Sequence, residues 1–144
     1  MQNTNAQLET EPTGSFSATN ASIEKYEISF ESRDKYLYAS AKGELSATEN
    51  RVQCWSEILE RCRAEDYDQL LVCQESPLNT SLVERFEAAS QIVALGVHGI
   101  KIAYVDADPE GFEHNEFCAL VARNRGANIE MFHTVEEAHD WLNK

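Results

Sequence analysis

Two short segments of the chain hold side chains whose types and spacing could do chemistry. The first is Ser76, Asn79, Thr80 and Ser81, within Glu75-Ser76-Pro77-Leu78-Asn79-Thr80-Ser81. Hydroxyls and amides placed just before a helix can cap its free N–H groups. They can equally take a phosphate, because the helix dipole stabilises negative charge at that end. These four residues are therefore a candidate switch or ligand loop. The second segment is Asp106-Ala107-Asp108. Two carboxylates after a strand could hold a cation for phosphoryl transfer, and in parallel sheets sites gather at the carboxyl ends of strands. Asp108 before Pro109 also has the form of a helix N-cap, a role that would occupy it.

Other reactive constellations do not form. The six glycines, Gly14, Gly43, Gly96, Gly99, Gly111 and Gly126, build neither a GxGxxG nor a Walker pattern, so no nucleotide cofactor is expected. His133 and His139 are not at the three- or four-residue spacing that puts two ligands on one helical face. His114 beside Glu110 and Glu113 reads as a surface group. The four cysteines, Cys54, Cys62, Cys73 and Cys118, contain no CxxC pair or zinc-knuckle spacing, and read as buried thiols of a reducing compartment. No metal site and no catalytic residue is expected.

The elements that must position the two segments follow from length and periodicity. The 144 residues make one ordinary domain, with 42% hydrophobic and 26% charged residues as in globular proteins. A formal net charge of −13 argues against nucleic acid and against anionic membrane surfaces. It serves solubility, or a basic partner. Residues 1–22 have few large apolar groups and are expected to form a disordered tail, with the domain spanning 23–144. The start lacks a signal-peptide pattern and no stretch is long and apolar enough for a membrane span, so a cytoplasmic setting is expected.

Tyr26, Ile28 and Phe30 alternate with polar residues as in a half-buried strand, and residues 36–42 form its hairpin partner. Ser46 with Glu49 has capping-box spacing and opens a helix carrying Val52, Trp55, Leu59 and Cys62. Residues 70–74 read as a buried strand. Ser81 with Glu84 opens a helix striped by Leu82, Phe86, Ala89 and Val93 and ended by Gly96. A strand over 100–105 leads to Asp108 and a helix expected to bury Phe112, Phe117, Leu120 and Val121. A last strand over 129–132 precedes a helix capped by Thr134 and Glu137, with Ala138, Trp141 and Leu142 inward. Trp55, Trp141 and Phe86 are expected in the core. The order is β-β-α-β-α-β-α-β-α: an α/β fold with a five-stranded, mostly parallel sheet and an antiparallel hairpin strand at its start. The polar alternation in the first, fourth and fifth strands predicts one sheet face with little helix cover.

The hairpin, the segment Gly43-Glu44-Leu45-Ser46 leading into a helix, and the close from Phe132 through Val135, Glu136, Glu137, Ala138, Trp141 and Leu142 together resemble the SpoIIAA-like proteins, bacterial relatives of STAS and Sec14-type domains. The resemblance covers about residues 25–143. It implies helices mainly on one side of the sheet, and a non-enzymatic regulatory or binding role through a protein partner or homodimer. Its Sec14-type branch implies small-molecule or lipid binding as an alternative. An Asp-dependent phosphoryl-transfer enzyme, on Asp106 and Asp108, is the more distant one. The family's anti-sigma-factor antagonists carry a phosphorylatable serine in Asp-Ser-Ser-Gly; the corresponding loop here has Ser76, Asn79, Thr80 and Ser81 instead.

Overall fold

The computed structural model describes residues 26–106 and 108–144. The expected tail at 1–22 lies outside them. The chain runs β1 (Tyr26–Ser32), β2 (Leu37–Gly43), α1 (Thr48–Ala64), β3 (Gln69–Gln74), α2 (Leu82–Ala94), β4 (Lys101–Asp106), α3 (Pro109–Asn124), β5 (Asn128–Phe132) and α4 (Val135–Leu142). The strands lie side by side in chain order, β1 antiparallel to β2 and every later pair parallel. This is the α/β order read from the sequence. Among the described residues no helix is long and apolar enough to cross a membrane.

Parallel register sets inward side chains in rows. Leu37, Leu70, Ile102 and Ile129 are direct neighbours across four strands, and Ala39, Val72, Tyr104 and Met131 form the next row. This face, with Tyr26, Ile28 and Phe30 from β1, packs beneath α1, α2 and α3. Helix α1 anchors it through Trp55, Ile58, Leu59 and Cys62. Each such large side chain, fully buried, contributes about 1.5–3 kcal/mol. The opposite face carries α4 alone. Ala138 and Leu142 sit there on Leu71, Ala103 and Val105. The Lys101 ammonium donates to the Trp141 carbonyl (3.0 Å) and lies 4.5 Å over the Trp141 ring, and the Tyr36 hydroxyl meets His139 Nδ1 at 2.7 Å. The outward residues of β1, Glu27, Ser29 and Glu31, stay exposed. Three helices lie on one face and one on the other.

Several local expectations are corrected. Ser46 and Glu49 form no capping box: α1 starts after Ala47 without a side-chain cap. The Ser46 hydroxyl instead accepts the Asn79 N–H (2.8 Å), tying two loops together. In α2 the inward stripe is Arg85 and Ala88, with Ile92 and Val93 half-buried; Leu82 is 41% exposed and Phe86 is half-covered by Arg125. Helix α3 is rotated from expectation. It turns Gly111, Asn115, Cys118, Ala119 and Ala122 inward, leaving Phe117 47% and Leu120 49% exposed, with Phe112 and Val121 half-buried. The close approach of α3 to β4 requires small residues: a Cβ on Gly111 would lie 2.8 Å from Asp106 Oδ2. Trp55 is in the core as expected, whereas Trp141 is half-buried at the edge of α4.

Candidate functional site

Helix α2 packs on α1 and α3 rather than on the strands, while α1 and α3 rest on the sheet directly. A helix that stands off the sheet, with alanines on its inner side, leaves room beneath it. That room is a cavity of ≈ 80 Å³. Its walls are apolar: Trp55 from α1, Ile92 from α2, Ala119 from α3, and Ile102, Ile129 and Met131 from the strands. Protein interiors are otherwise close-packed, with few voids larger than water.

One end of the cavity is polar. Arg51 in the first turns of α1, Arg85 at the start of α2 and Asn115 in α3 converge there, at the carboxyl ends of the parallel strands. Both arginines are buried, 6% and 5% exposed. Arg51 gives one Nη to the carbonyls of Leu45 and Ser46 (both 2.8 Å) and the other to Glu84 (3.3 Å). Arg85 donates to Asn115 Oδ1 (2.9 Å) and to the Leu78 carbonyl (3.1 Å), and its Nε has no partner among the described residues. Burial pulls Arg51 below its ordinary pKa, and the like charge of Arg85 adds to this. Burial also holds the Tyr104 phenol, on the cavity wall, well above its usual range.

The loop residues singled out by the sequence form a brace at the same end. Ser76 Oγ accepts the Gly43 N–H (2.9 Å), and Asn79 is held by Ser46. Ser81 and Glu84 form the full capping box, with Thr80 donating to Glu84 Oε1 (2.7 Å). These N–H and O–H donors hold the Glu84 carboxyl below its ordinary pKa. A carboxylate thus already stands at the α2 N-terminus, where a phosphate would go. Asp106 and Asp108 are likewise engaged. Asp106 Oδ1 accepts the Asp108 N–H (3.0 Å) and Oδ2 accepts from Asn115 (2.8 Å); Asp108 accepts the Glu110 N–H (3.3 Å). Burial raises the Asp106 carboxyl above its usual range, against the pull of these donors. Among the described residues no three His, Cys, Asp or Glu side chains gather as metal ligands. The thiols are unpaired, and burial pushes Cys54 up to about 12 and Cys62 up to about 11, which leaves them unreactive.

The sequence reading missed Arg51, Arg85 and Asn115. A signal was available. Arg85 sits at helical spacing from Ala88 and Ile92, and Arg51 from Trp55 and Ile58, so each is a lone cation on an inward stripe.

No family model matches the chain, and no curated protein does. Among solved structures, an uncharacterised protein of the DUF3478 family from Shewanella loihica PV-4, described as having a SpoIIAA-like fold, superposes with a TM-score of 0.50 at 18% identity, over 87% of this chain and 99% of that one. This chain has the SpoIIAA-like fold. The protein TM1081, solved by NMR, matches with a TM-score of 0.46 at 12% identity, over 91% and 98% of the two chains. In this chain of SpoIIAA-like fold, the cavity, the braced loop and the buried arginines all lie on the three-helix face.

Proposed function

We propose that the chain is a non-enzymatic binding module of the SpoIIAA-like, STAS type, and that it holds a small apolar molecule or the acyl part of a lipid between α2, α3 and the sheet. One observation carries this: the apolar cavity under a helix that stands off the strands. Small-molecule sites are concave, mostly apolar and furnished with a few convergent polar groups. A non-enzymatic reading draws on the engagement of Asp106, Asp108 and the loop hydroxyls in caps and braces. Native mass spectrometry of protein taken from cells should show a co-purifying small molecule. Stripped protein should take up an apolar fluorescent probe, and Ala119→Phe, which fills the cavity, should abolish uptake. Equal uptake by the wild type and the filled variant would end this reading.

A second reading, a protein partner or homodimer, draws on Leu82, Val83, Phe117 and Leu120, which are exposed on the two helices roofing the cavity. Exposed large apolar groups on a few neighbouring elements mark interaction surfaces. Light scattering should then show an assembly that Val83→Glu with Leu120→Glu disperses; a wild type that stays monomeric at high concentration, with no captured partner sensitive to that pair, would count against it.

A further inference from the structure

The geometry points to an anion-headed ligand: an aliphatic carboxylic acid whose carboxylate meets Arg85 and Arg51 and whose tail lies along Trp55, Ile102 and Ile129. This deepens the small-molecule reading above and rests on it.

The case begins with charge. Two guanidinium groups are buried at one end of an apolar cavity. The ion pairs among the described residues join Arg33 with Glu31, Arg61 with Glu65 and Arg123 with Glu130; neither Arg51 nor Arg85 is in one. Arg51 is satisfied by backbone carbonyls, which neutralise no charge. Arg85 is bridged to the Asp106 carboxylate by Asn115, and its charge pulls the Asp106 carboxyl down without a direct ion pair. A buried charge without a direct ion pair is costly, and although the charges of Glu84 and Asp106 act on Arg51 and Arg85, no carboxylate among the described residues pairs with either directly.

Position sharpens the case. Arg51 and Arg85 stand near the N-terminal ends of α1 and α2, where the helix dipole disfavours cations, and at α2 the Glu84 carboxylate already caps that end. Both helices begin at the carboxyl ends of the strands, where α/β folds place their ligands. Finally, Arg85 Nε is a buried donor with no acceptor among the described residues. A carboxylate oxygen is the acceptor that fits it, since planar guanidinium and carboxylate groups match in shape as well as charge. Apart from the Tyr104 phenol and the Cys118 thiol, the rest of the cavity offers a tail apolar wall. The cavity is small at ≈ 80 Å³, so an eight-carbon tail is seated with some yielding of α2.

The test uses octanoate, octanol and octylamine with stripped full-length protein. Trp55 lines the cavity and the other tryptophan, Trp141, is on the opposite face, so Trp141→Phe leaves an indole signal that reports occupancy. Octanoate should bind at least about tenfold more tightly than octanol, and octylamine more weakly than either. Arg85→Met should erase the preference for octanoate while leaving octanol binding, and Arg85→Lys should keep part of it. Equal binding of octanoate and octanol by the wild type would overturn the anionic head while leaving the apolar cavity standing. Failure of all three to bind would overturn both. Since the wild-type comparison decides the matter alone, a poorly folding Arg85 variant does not protect the proposal.

Discussion

The two faces of the sheet are built on different rules. On the α4 face, Leu142 and Ala138 fit against Leu71, Ala103 and Val105, and Lys101 and Tyr36 pin the helix from both sides. On the α2–α3 face, alanines, a cysteine and an asparagine turn inward, an arginine takes a core position, and large apolar groups turn out. The first face packs for stability. The second gives up packing and keeps a void with a charged end. Poor packing beside good packing in one small domain marks where stability has been set aside for something else.

Four outcomes would sharpen or break that contrast. The largest concerns core truncation. Leu142→Ala should cost ~2–5 kcal/mol, because its site is closed on all sides. Ile92→Ala, half-buried over the cavity, should cost less than half as much by urea denaturation. Equal losses would mean that the two faces are packed alike.

Enlargement should give the opposite pattern. Ala138→Leu overfills a tight contact and should lose ~1–3 kcal/mol. Ala119→Leu extends into existing space and should be neutral or stabilising by up to ~1 kcal/mol, read by thermal melting. Matched destabilisation at the two alanines would remove the cavity from the account.

Ser81→Ala removes the α2 cap and should cost about 1 kcal/mol. Hydrogen exchange should show the α2 amides opening first in this variant, with α4 unchanged; uniform opening would argue against independent faces.

The smallest effect is acid-dependent. Glu84 has its carboxyl pKa depressed in the folded state by the Ser81 and Thr80 donors. Its contribution is therefore present above the unfolded glutamate pKa and fades as pH falls through the lower folded one. Melting temperature against pH should drop in that acid window for the wild type and less steeply for Glu84→Gln. Parallel curves would show that the box contributes nothing measurable.

Much of this architecture was legible in the residues. Strand alternation, the Ser81–Glu84 box and the Asp108-Pro109 start are local signals, and each element formed where its own chemistry placed it. The direction in which α3 faces was not legible. Phe117 and Leu120 fit an inward stripe as well as Cys118, Ala119 and Ala122 do; what decides between them is the close approach of Gly111 to Asp106, a contact between distant elements. Ser46 misled for the same reason. Its partner is not the next helical turn but Asn79, a long way along the chain. The site suffered most, because Arg51 and Arg85 look like ordinary solvated cations until the fold buries them.

The way α2 is fastened has one further consequence. Its first turns are held by the capping box, by Arg85 on the Leu78 carbonyl and by Arg51 on the Glu84 carbonyl, whereas its far half has half-buried apolar contacts and the Arg125–Ser90 bond (2.7 Å). The helix is clamped beside the guanidinium groups, while Ile92 and Val93 at its far half pack half-buried on the main core. The acid proposed above, entering under that far end, would travel head first past an apolar rim before its charge meets the guanidinium groups. For such a ligand the protonated acid would cross that rim more easily and the ionised acid would stay more tightly, so speed of loading and strength of retention would respond to pH in opposite senses.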